Sequence, residues 1–403
     1  MAHFVVIGAG QAGASLVAKL RAAGFAGEIT LIGAEPVPPY QRPPLSKAYL
    51  LGEMEEARLY LRPEAWYAEQ AIALRTATEA ASIDPAARTV TLTDGETLSY
   101  DALALCTGSL PRRLPASIGG DLGGVYTMRD LRDAETMAPE FAPGRHVLIV
   151  GGGYIGLEAA AVAAKKGLGV TLVEMSDRIL GRVAASQTSD FFRTLHAGHG
   201  VTIREGTGLS RLTGEDRVTG AILSDGTQLE IDFAIVGVGI APDTRLAEAA
   251  GLTIDNGIAT DARARTSDPH IWAAGDCASF PWKGARIRLE SVGNAIDMAE
   301  CAALNMMGED TPYTAAPWFW SDQFDCKLQI AGLGSGFDAI HVRRGEGEAV
   351  SHWYYAGGEL IAVDAMNDSR AYMVGKRLIE MGKSPDPAVI ADPETNLKAL
   401  LKA

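Results

Sequence analysis

Residues 4–13 read F-V-V-I-G-A-G-Q-A-G, and residues 147–156 read V-L-I-V-G-G-G-Y-I-G. Each is a four-residue apolar run that enters a G-x-G-x-x-G turn and opens an alanine-rich helical pattern. The glycines are Gly8, Gly10 and Gly13 in the first turn and Gly151, Gly153 and Gly156 in the second. The strand–turn–helix context gives the motif its meaning. The first glycine allows the tight turn, the second lets backbone approach a pyrophosphate, and the third lets helix and strand pack closely. The phosphates then rest on unpaired N–H groups at the positive end of a helix. Two such turns predict two dinucleotide sites in one chain.

Around the first turn, residues 4–7 read as a strand, 11–24 as a helix and 28–33 as a second strand, the opening of a βαβ unit. Glu35 then stands near where an acidic group meets a ribose hydroxyl, with Ala34 one position nearer the strand end. A proline-rich loop, P-V-P-P-Y-Q-R-P-P-L-S-K, follows at 36–47. Strands are expected at 89–93 and 102–105, across the Asp94-Gly95 turn. The pattern then restarts with a strand at 146–150, a helix at 154–166 and a strand at 169–174. Further strands are expected at 201–203, 218–223 and 229–231, the last two joined by the Asp225-Gly226 hairpin turn.

The segment T-S-D-P-H-I-W-A-A-G-D at 266–276 resumes the first unit, so one βαβ unit is nested inside the other. Beyond Trp318 come strands rich in Trp, Tyr and Gly at 328–333, 338–342, 350–355 and 359–364, then a helical tail. The expected architecture is α/β, with two Rossmann-like dinucleotide-binding domains and a C-terminal α+β domain with an antiparallel sheet. The expected boundaries are 1–113 with 242–317, 114–241, and 318–403.

A chain of 403 residues, 47% hydrophobic and with 45 glycines, suits such a multidomain fold. Its net charge of −14 argues against non-specific nucleic-acid binding, which needs a basic face. The cysteines, Cys106, Cys277, Cys301 and Cys326, form neither C-x-x-C nor a zinc spacing, so no metal site and reduced, buried thiols are expected. No uninterrupted apolar stretch reaches the ~18–20 residues of a membrane span. No charged n-region or cleavage site precedes the first strand, and the expected location is cytoplasmic.

Glu174 ends the second βαβ unit, where its carboxylate accepts both ribose hydroxyls of an adenosine and repels a 2′-phosphate. NADH is therefore favoured at the second turn. Arg178 and Arg182, just beyond, keep NADPH open unless they are solvated helix charges. Asp276, at a strand end, can accept a flavin ribityl hydroxyl and can also cap a helix that follows it, two compatible roles. C-T-G-S-L-P-R at 106–112 is a strand-to-turn segment containing Thr107 and Gly108. Strand alternation puts Trp318 and Trp320 on one face and Phe319 on the other. In so acidic a chain, W-K-G-A-R-I-R at 282–288 is a basic cluster, with Lys283, Arg286 and Arg288, and Arg62 is a second basic candidate.

The set G-A-G-Q-A-G, C-T-G-S, G-G-G-Y-I-G-L-E, V-G-V-G-I-A-P and A-A-G-D resembles the two-dinucleotide flavoprotein reductases of the glutathione-reductase structural class. R-P-P-L-S-K at 42–47, E-S-V-G-N-A at 290–295 and A-P-W-F-W-S-D-Q at 316–323 narrow the resemblance. They are similar to bacterial NADH-dependent 2Fe–2S ferredoxin reductases, the putidaredoxin reductase type, which feed cytochrome monooxygenases and ring-hydroxylating dioxygenases. The resemblance spans about residues 4–370. Its disulfide-reducing cousins carry a redox-active cysteine beside the flavin, and the R-P-P-L-S-K loop takes the place of that segment here.

The resemblance implies a tightly bound FAD held by Gly8, Gly10, Ala12 and Gly13, with Ala34 or Glu35 near the ribose. Arg42, Lys47, Ala80, Thr107, Gly108, Arg129, Gly275, Asp276 and Val292 match other flavin contacts. NADH would be held by Gly151, Gly153, Tyr154, Ile155 and Gly156, with Glu174 on the ribose, Arg182 nearby, Gly239 at the nicotinamide end and Glu290 at the carboxamide. Lys47 and Glu158 would pair over the flavin N5 edge, where an ammonium stabilises the electron-rich reduced ring. Trp320 would approach the ring system. The implied reaction is hydride transfer from NADH to FAD N5, then single-electron transfer to a 2Fe–2S ferredoxin docking near Arg62 or Lys283, Arg286 and Arg288. Three other readings stand beside it: a rubredoxin or other-acceptor reductase, a cysteine-dependent peroxide or disulfide reductase, and a non-enzymatic NADH-sensing flavoprotein of the apoptosis-inducing-factor type.

Overall fold

The computed structural model describes residues 1–402. The chain forms two compact units, each assembled from three separate stretches. The first unit takes Met1–Gln41, Glu56–Leu110 and Ile240–Pro317, and the second takes Arg42–Glu55, Pro111–Gly239 and the chain from Trp318 on.

The first unit is built on a five-stranded parallel sheet in the order Ile271–Ala273, Ala102–Leu105, His3–Ile7, Glu28–Ile32, Ile72–Arg75. Its strands are continuous apolar runs because both faces are covered. The helices Gln11–Ala22 and Val292–Met306 pack together and join the same core through Leu16, Val17, Met298 and Ala302. From His3–Ile7 the chain proceeds to Glu28–Ile32 and Ile72–Arg75 on one side of it and only then to Ala102–Leu105 and Ile271–Ala273 on the other, so the Gly8 turn leaves the sheet at its switch point, where such sheets bind ligands. The Asp94-Gly95 turn leads into a short strand, Thr97–Ser99, that pairs back on Thr89–Leu92. The stretch 102–105 instead joins the parallel sheet.

The second unit repeats the design. Its parallel sheet runs Thr202–Arg204, Gly169–Val173, His146–Val150, Phe233–Val236, Val125–Tyr126. The predicted hairpin at Asp225-Gly226 joins Val218–Leu223 to Gln228–Glu230. From Trp318 the chain forms a five-stranded antiparallel sheet in the order Trp318–Gln323, Cys326–Gly332, Glu359–Met366, Val350–Ala356, Ala339–Arg344. The helix Ser369–Glu380 covers it, burying Ala371, Val374 and Leu378 against Trp353 and Val363. A polar cluster ties this sheet to the helix Ser186–Gly198: buried Asp364 accepts from Thr188 Oγ1 at 2.7 Å and from Tyr354 Oη. Burial pushes the Asp364 carboxyl up to about 6.

Candidate functional site

The three glycines of each turn answer to different demands. A Cβ on Gly8 would lie 2.1 Å from Cys106 O, and one on Gly13 2.0 Å from Gly8 O. In the second turn, a Cβ on Gly151 would lie 2.4 Å from Gly237 O, and one on Gly156 2.1 Å from Gly151 O. Gly8 and Gly151 both have φ of +110°, which side-chain-bearing residues rarely adopt. These four positions are glycine because the protein has no room.

Gly10 and Gly153 are different. A Cβ at either meets nothing within 4 Å, and their φ values of −96° and −82° suit any residue. Neither packing nor backbone requires glycine there, so the vacant position suits an external group. Each is the N-cap of a helix that has no side-chain cap and no acidic residue in its first turn. The terminal N–H groups and the positive helix end are thus left for an anion. Both turns fit a dinucleotide pyrophosphate.

In the first unit, Gly275 (φ +86°) approaches Ala12 so closely that a Cβ there would sit 3.1 Å from the alanine methyl. Asp276 follows and accepts from Ser109 Oγ at 3.0 Å. No helix starts at Asp276, contrary to the capping role. Strands Ala278–Trp282 and Ala285–Ile287 intervene, and the helix opens at Val292 with Ser291 as its cap. Glu35, partly buried, accepts from Tyr40 Oη at 2.5 Å, whereas Ala34 is exposed. Thr107 Oγ1 donates to Asp243 O at 2.6 Å, Gly108 has φ +70°, and Ala80 opens the strand Ala80–Asp84. Glu290 is engaged by Arg288 at 2.5 Å.

In the second unit, the Glu174 carboxylate is pinned on both oxygens. Oε2 accepts from Gly152 N at 2.7 Å and Oε1 from Ser176 N at 2.8 Å. These two bonds hold it against the glycine turn. Arg178 is not a solvated helix charge: the segment after Glu174 is a series of turns, and its guanidinium donates to Ser189 Oγ at 2.5 Å and Ala184 O at 2.8 Å. Arg182 is exposed and stands beside Gly239 (φ +101°), where a Cβ would lie 3.8 Å from its Nη2. Met175 (80%), Val183 (52%), Ile155 (43%) and Val238 (36%) are exposed apolar side chains of this unit. Tyr154 Oη is buried without a hydrogen-bond partner, and its ring packs on Phe319 with centroids 4.9 Å apart.

The proline-rich loop supplies Lys47 to the second unit. Pro43–Ser46 forms a tight helical turn, and Lys47 Nζ lies 2.9 Å from Glu158 Oε1. Ser321 Oγ donates to Glu158 Oε1 at 2.7 Å and Ser46 Oγ to Oε2 at 2.9 Å. Burial pushes the Glu158 carboxyl up, while the Lys47 ammonium and the two hydroxyls pull it back down. The geometry follows from matched periodicities. Tyr154 and Glu158 are one helical turn apart, and Phe319 and Ser321 are alternate residues of a strand. Both spacings are about 6–7 Å, so one pair meets the other. Trp318 and Trp320 stack on the opposite face at 5.4 Å, as alternation predicts. Arg42 Nη1 donates to Arg129 O at 2.8 Å in the same unit. Ser46 and Ser321, which both bond Glu158, carry no sequence signal of that role beyond the strand alternation that places Ser321 on the face of Phe319.

The predicted basic cluster is mostly spent inside the fold. Arg286 donates to Ser279 O at 2.8 Å and Thr260 O at 3.0 Å, and Arg288 is tied to Glu290. Lys283 projects over Trp282, 4.8 Å from the ring centroid. Arg62 is exposed and lies over Trp66 at 5.6 Å, on a cleft shared with Gln11, Ser15, Lys19 and Glu300. All four cysteines are free and buried. Among the described residues, no group of three or more His, Cys, Asp or Glu could hold a metal, and no helix is long and apolar enough to cross a membrane.

Residues 2–299 match the pyridine nucleotide-disulphide oxidoreductase family, and residues 318–401 match the reductase C-terminal family. The chain is 41% identical over 401 residues to rhodocoxin reductase of Rhodococcus erythropolis, covering 98% of this chain and 93% of that protein. It is 40% identical over 409 residues to putidaredoxin reductase of Pseudomonas putida, covering 100% and 97%. Among solved structures it matches the covalent putidaredoxin reductase–putidaredoxin complex with a TM-score of 0.96 at 39% identity, over 100% of this chain and 98% of the other. The ferredoxin reductase for the CYP199A2 system of Rhodopseudomonas palustris matches at 0.95 and 40% identity, over 99% of each chain. Sequence, fold and turn geometry agree, and the chain belongs to the ferredoxin reductases of the pyridine nucleotide-disulphide oxidoreductase family.

Proposed function

We infer that this chain is an FAD-containing NADH:ferredoxin reductase whose acceptor is a 2Fe–2S ferredoxin serving a cytochrome monooxygenase or ring-hydroxylating dioxygenase. The observation that carries the reading is the pair of vacant glycine positions, Gly10 and Gly153, each set at an uncapped helix end. Residues 1–113 with 242–317 are assigned to FAD, 114–241 to NADH, and 318–403 to the interface domain. A cytoplasmic location accords with four free thiols.

FAD, when bound, converts a hydride donor into a source of single electrons, which an iron–sulfur cluster requires. The net reaction takes one NADH and two oxidised ferredoxins to NAD⁺, one proton and two reduced ferredoxins. The residues of this chain bind and align. Gly8, Gly10 and Gly13 seat the FAD pyrophosphate on the first helix, and Asp276 offers a carboxylate to the ribityl hydroxyls. Gly151, Gly153 and Gly156 seat NADH, with Glu174 on its ribose and Arg182 beside Gly239. Lys47, held by Glu158, is assigned to the flavin N5 edge and Trp320 to the ring. All four cysteines are free and buried, and none stands in the Pro43–Lys47 segment that takes the place of the redox-active cysteine. Cytochrome c reduction through a panel of 2Fe–2S ferredoxins and rubredoxins, with NADH and NADPH in parallel, tests the reading. NADH-dependent turnover with a 2Fe–2S protein is expected, and turnover with rubredoxin alone would overturn it.

A further inference from the structure

Glu158 ends a chain of hydrogen bonds that its pairing with Lys47 does not require. Ser321 Oγ lies 2.7 Å from Glu158 Oε1, Gln323 Nε2 lies 3.1 Å from Ser321 Oγ, and His196 Nε2 lies 2.8 Å from Gln323 Oε1. All four side chains are buried within the second unit. Ser321 and Gln323 are alternate residues of the strand Trp318–Gln323, so they share a face, and His196 comes from the helix Ser186–Gly198.

Counting protons fixes the direction of every bond. An ionised carboxylate only accepts. Ser321 therefore gives its one hydroxyl proton to Glu158, and its oxygen accepts from the Gln323 amide NH₂. That turns Gln323 Oε1 toward His196, which must carry its proton on Nε2. The other ring nitrogen, Nδ1, is then a bare acceptor, and it is indeed buried without a partner. Burial holds the imidazole down at about 4, so the ring is neutral near pH 7 and has one N–H to place. A neutral Glu158 would itself be able to donate to Ser321, and the polarity of the chain would be lost. Aligned bonds of this kind polarise one another. The chain is an anchor and not a proton path, because it ends at an unpartnered nitrogen and passes through an amide.

We propose that Gln323 is a positioning residue: with His196 and Ser321 it holds Glu158 as an oriented carboxylate, and through it aims the Lys47 ammonium. The catalytic consequence rests on the assignment of Lys47 to the flavin made above. Gln323→Met keeps the volume and removes both polar ends. In protein labelled with ¹⁵N-histidine, parent His196 is expected as a neutral ring protonated on Nε2, and Gln323→Met is expected to move that signal. In rapid mixing with NADH, Gln323→Met and Ser321→Ala should slow flavin reduction roughly 10–100-fold, the scale of a misplaced reacting group. The KM for NADH should stay unchanged, and Ser321→Thr, which keeps the hydroxyl, should recover the rate. A parent His196 protonated on Nδ1, a signal unmoved by Gln323→Met, or reduction slowed less than about twofold in both variants would each overturn the proposal. A parent protein that NADH does not reduce would be a failure of the functional reading instead, and the histidine signals would then decide the positioning network alone.

Discussion

Gly153→Ala separates a glycine kept for a ligand from a glycine kept for the fold. The new methyl meets no atom within 4 Å, and φ of −82° with ψ of 179° suits alanine. Loss of unfolded-chain freedom gains about 0.4–1 kcal/mol, and the poorer N-cap returns an amount of that order. The net change in stability should stay within about 0.5 kcal/mol. The methyl stands where a pyrophosphate oxygen would sit on the helix N–H groups. Losing about two charge-assisted hydrogen bonds there costs about 3 kcal/mol, roughly a 150-fold rise in the KM for NADH. FAD content should not change, because that cofactor is assigned to the other turn. Gly156→Ala is the contrast, with its Cβ 2.1 Å from Gly151 O. It should destabilise the protein by about 3 kcal/mol. Denaturant unfolding and NADH:ferricyanide kinetics on the purified variants supply both numbers. A Gly153→Ala protein that loses more than about 2 kcal/mol of stability, or that binds NADH normally, would refute the reasoning.

Three further outcomes follow from the same geometry. Glu174→Gln removes the charge that opposes a 2′-phosphate, so kcat/KM for NADPH should rise about tenfold while that for NADH falls. An unchanged preference would show that Glu174 does not set specificity. Arg62→Glu should raise the KM for a 2Fe–2S ferredoxin about three- to tenfold at low salt and flatten its salt dependence. An unaltered KM at low salt would remove Arg62 from the docking surface. Asp364 is held up at about 6 by burial, above the ordinary carboxyl value, so its contribution is present at low pH and is lost as pH rises through 6. Asp364→Asn should therefore gain on the parent by about 3 kcal/mol between pH 4 and 8, and a difference in unfolding free energy that does not vary with pH would contradict this.

The parts of the fold governed by local sequence were readable. Both glycine turns, their flanking strands and helices, and the face assignment of Trp318, Phe319 and Trp320 emerged as read, because sterics and periodicity fix them. What failed depended on distant partners. The Asp94-Gly95 turn was legible, but the three-residue strand after it carries too little pattern to announce itself. Of the two roles read for Asp276, the helix cap fails, because the chain inserts two strands before Ser291 takes that role. Arg178, Arg286 and Arg288 read as surface cations, and only the fold brings Ala184, Ser279 and Glu290 to them. Ser46 and Ser321 join Glu158 across 112 and 163 residues, and no local rule signals such a meeting.

The most direct test of the whole account is an anaerobic titration of the FAD-loaded protein with NADH in the presence of excess oxidised 2Fe–2S ferredoxin, with no added thiol. The account predicts that each NADH consumed reduces two ferredoxins. Flavin bleaching by NADH while the ferredoxin stays oxidised, or ferredoxin reduction only after a dithiol is added, would contradict it.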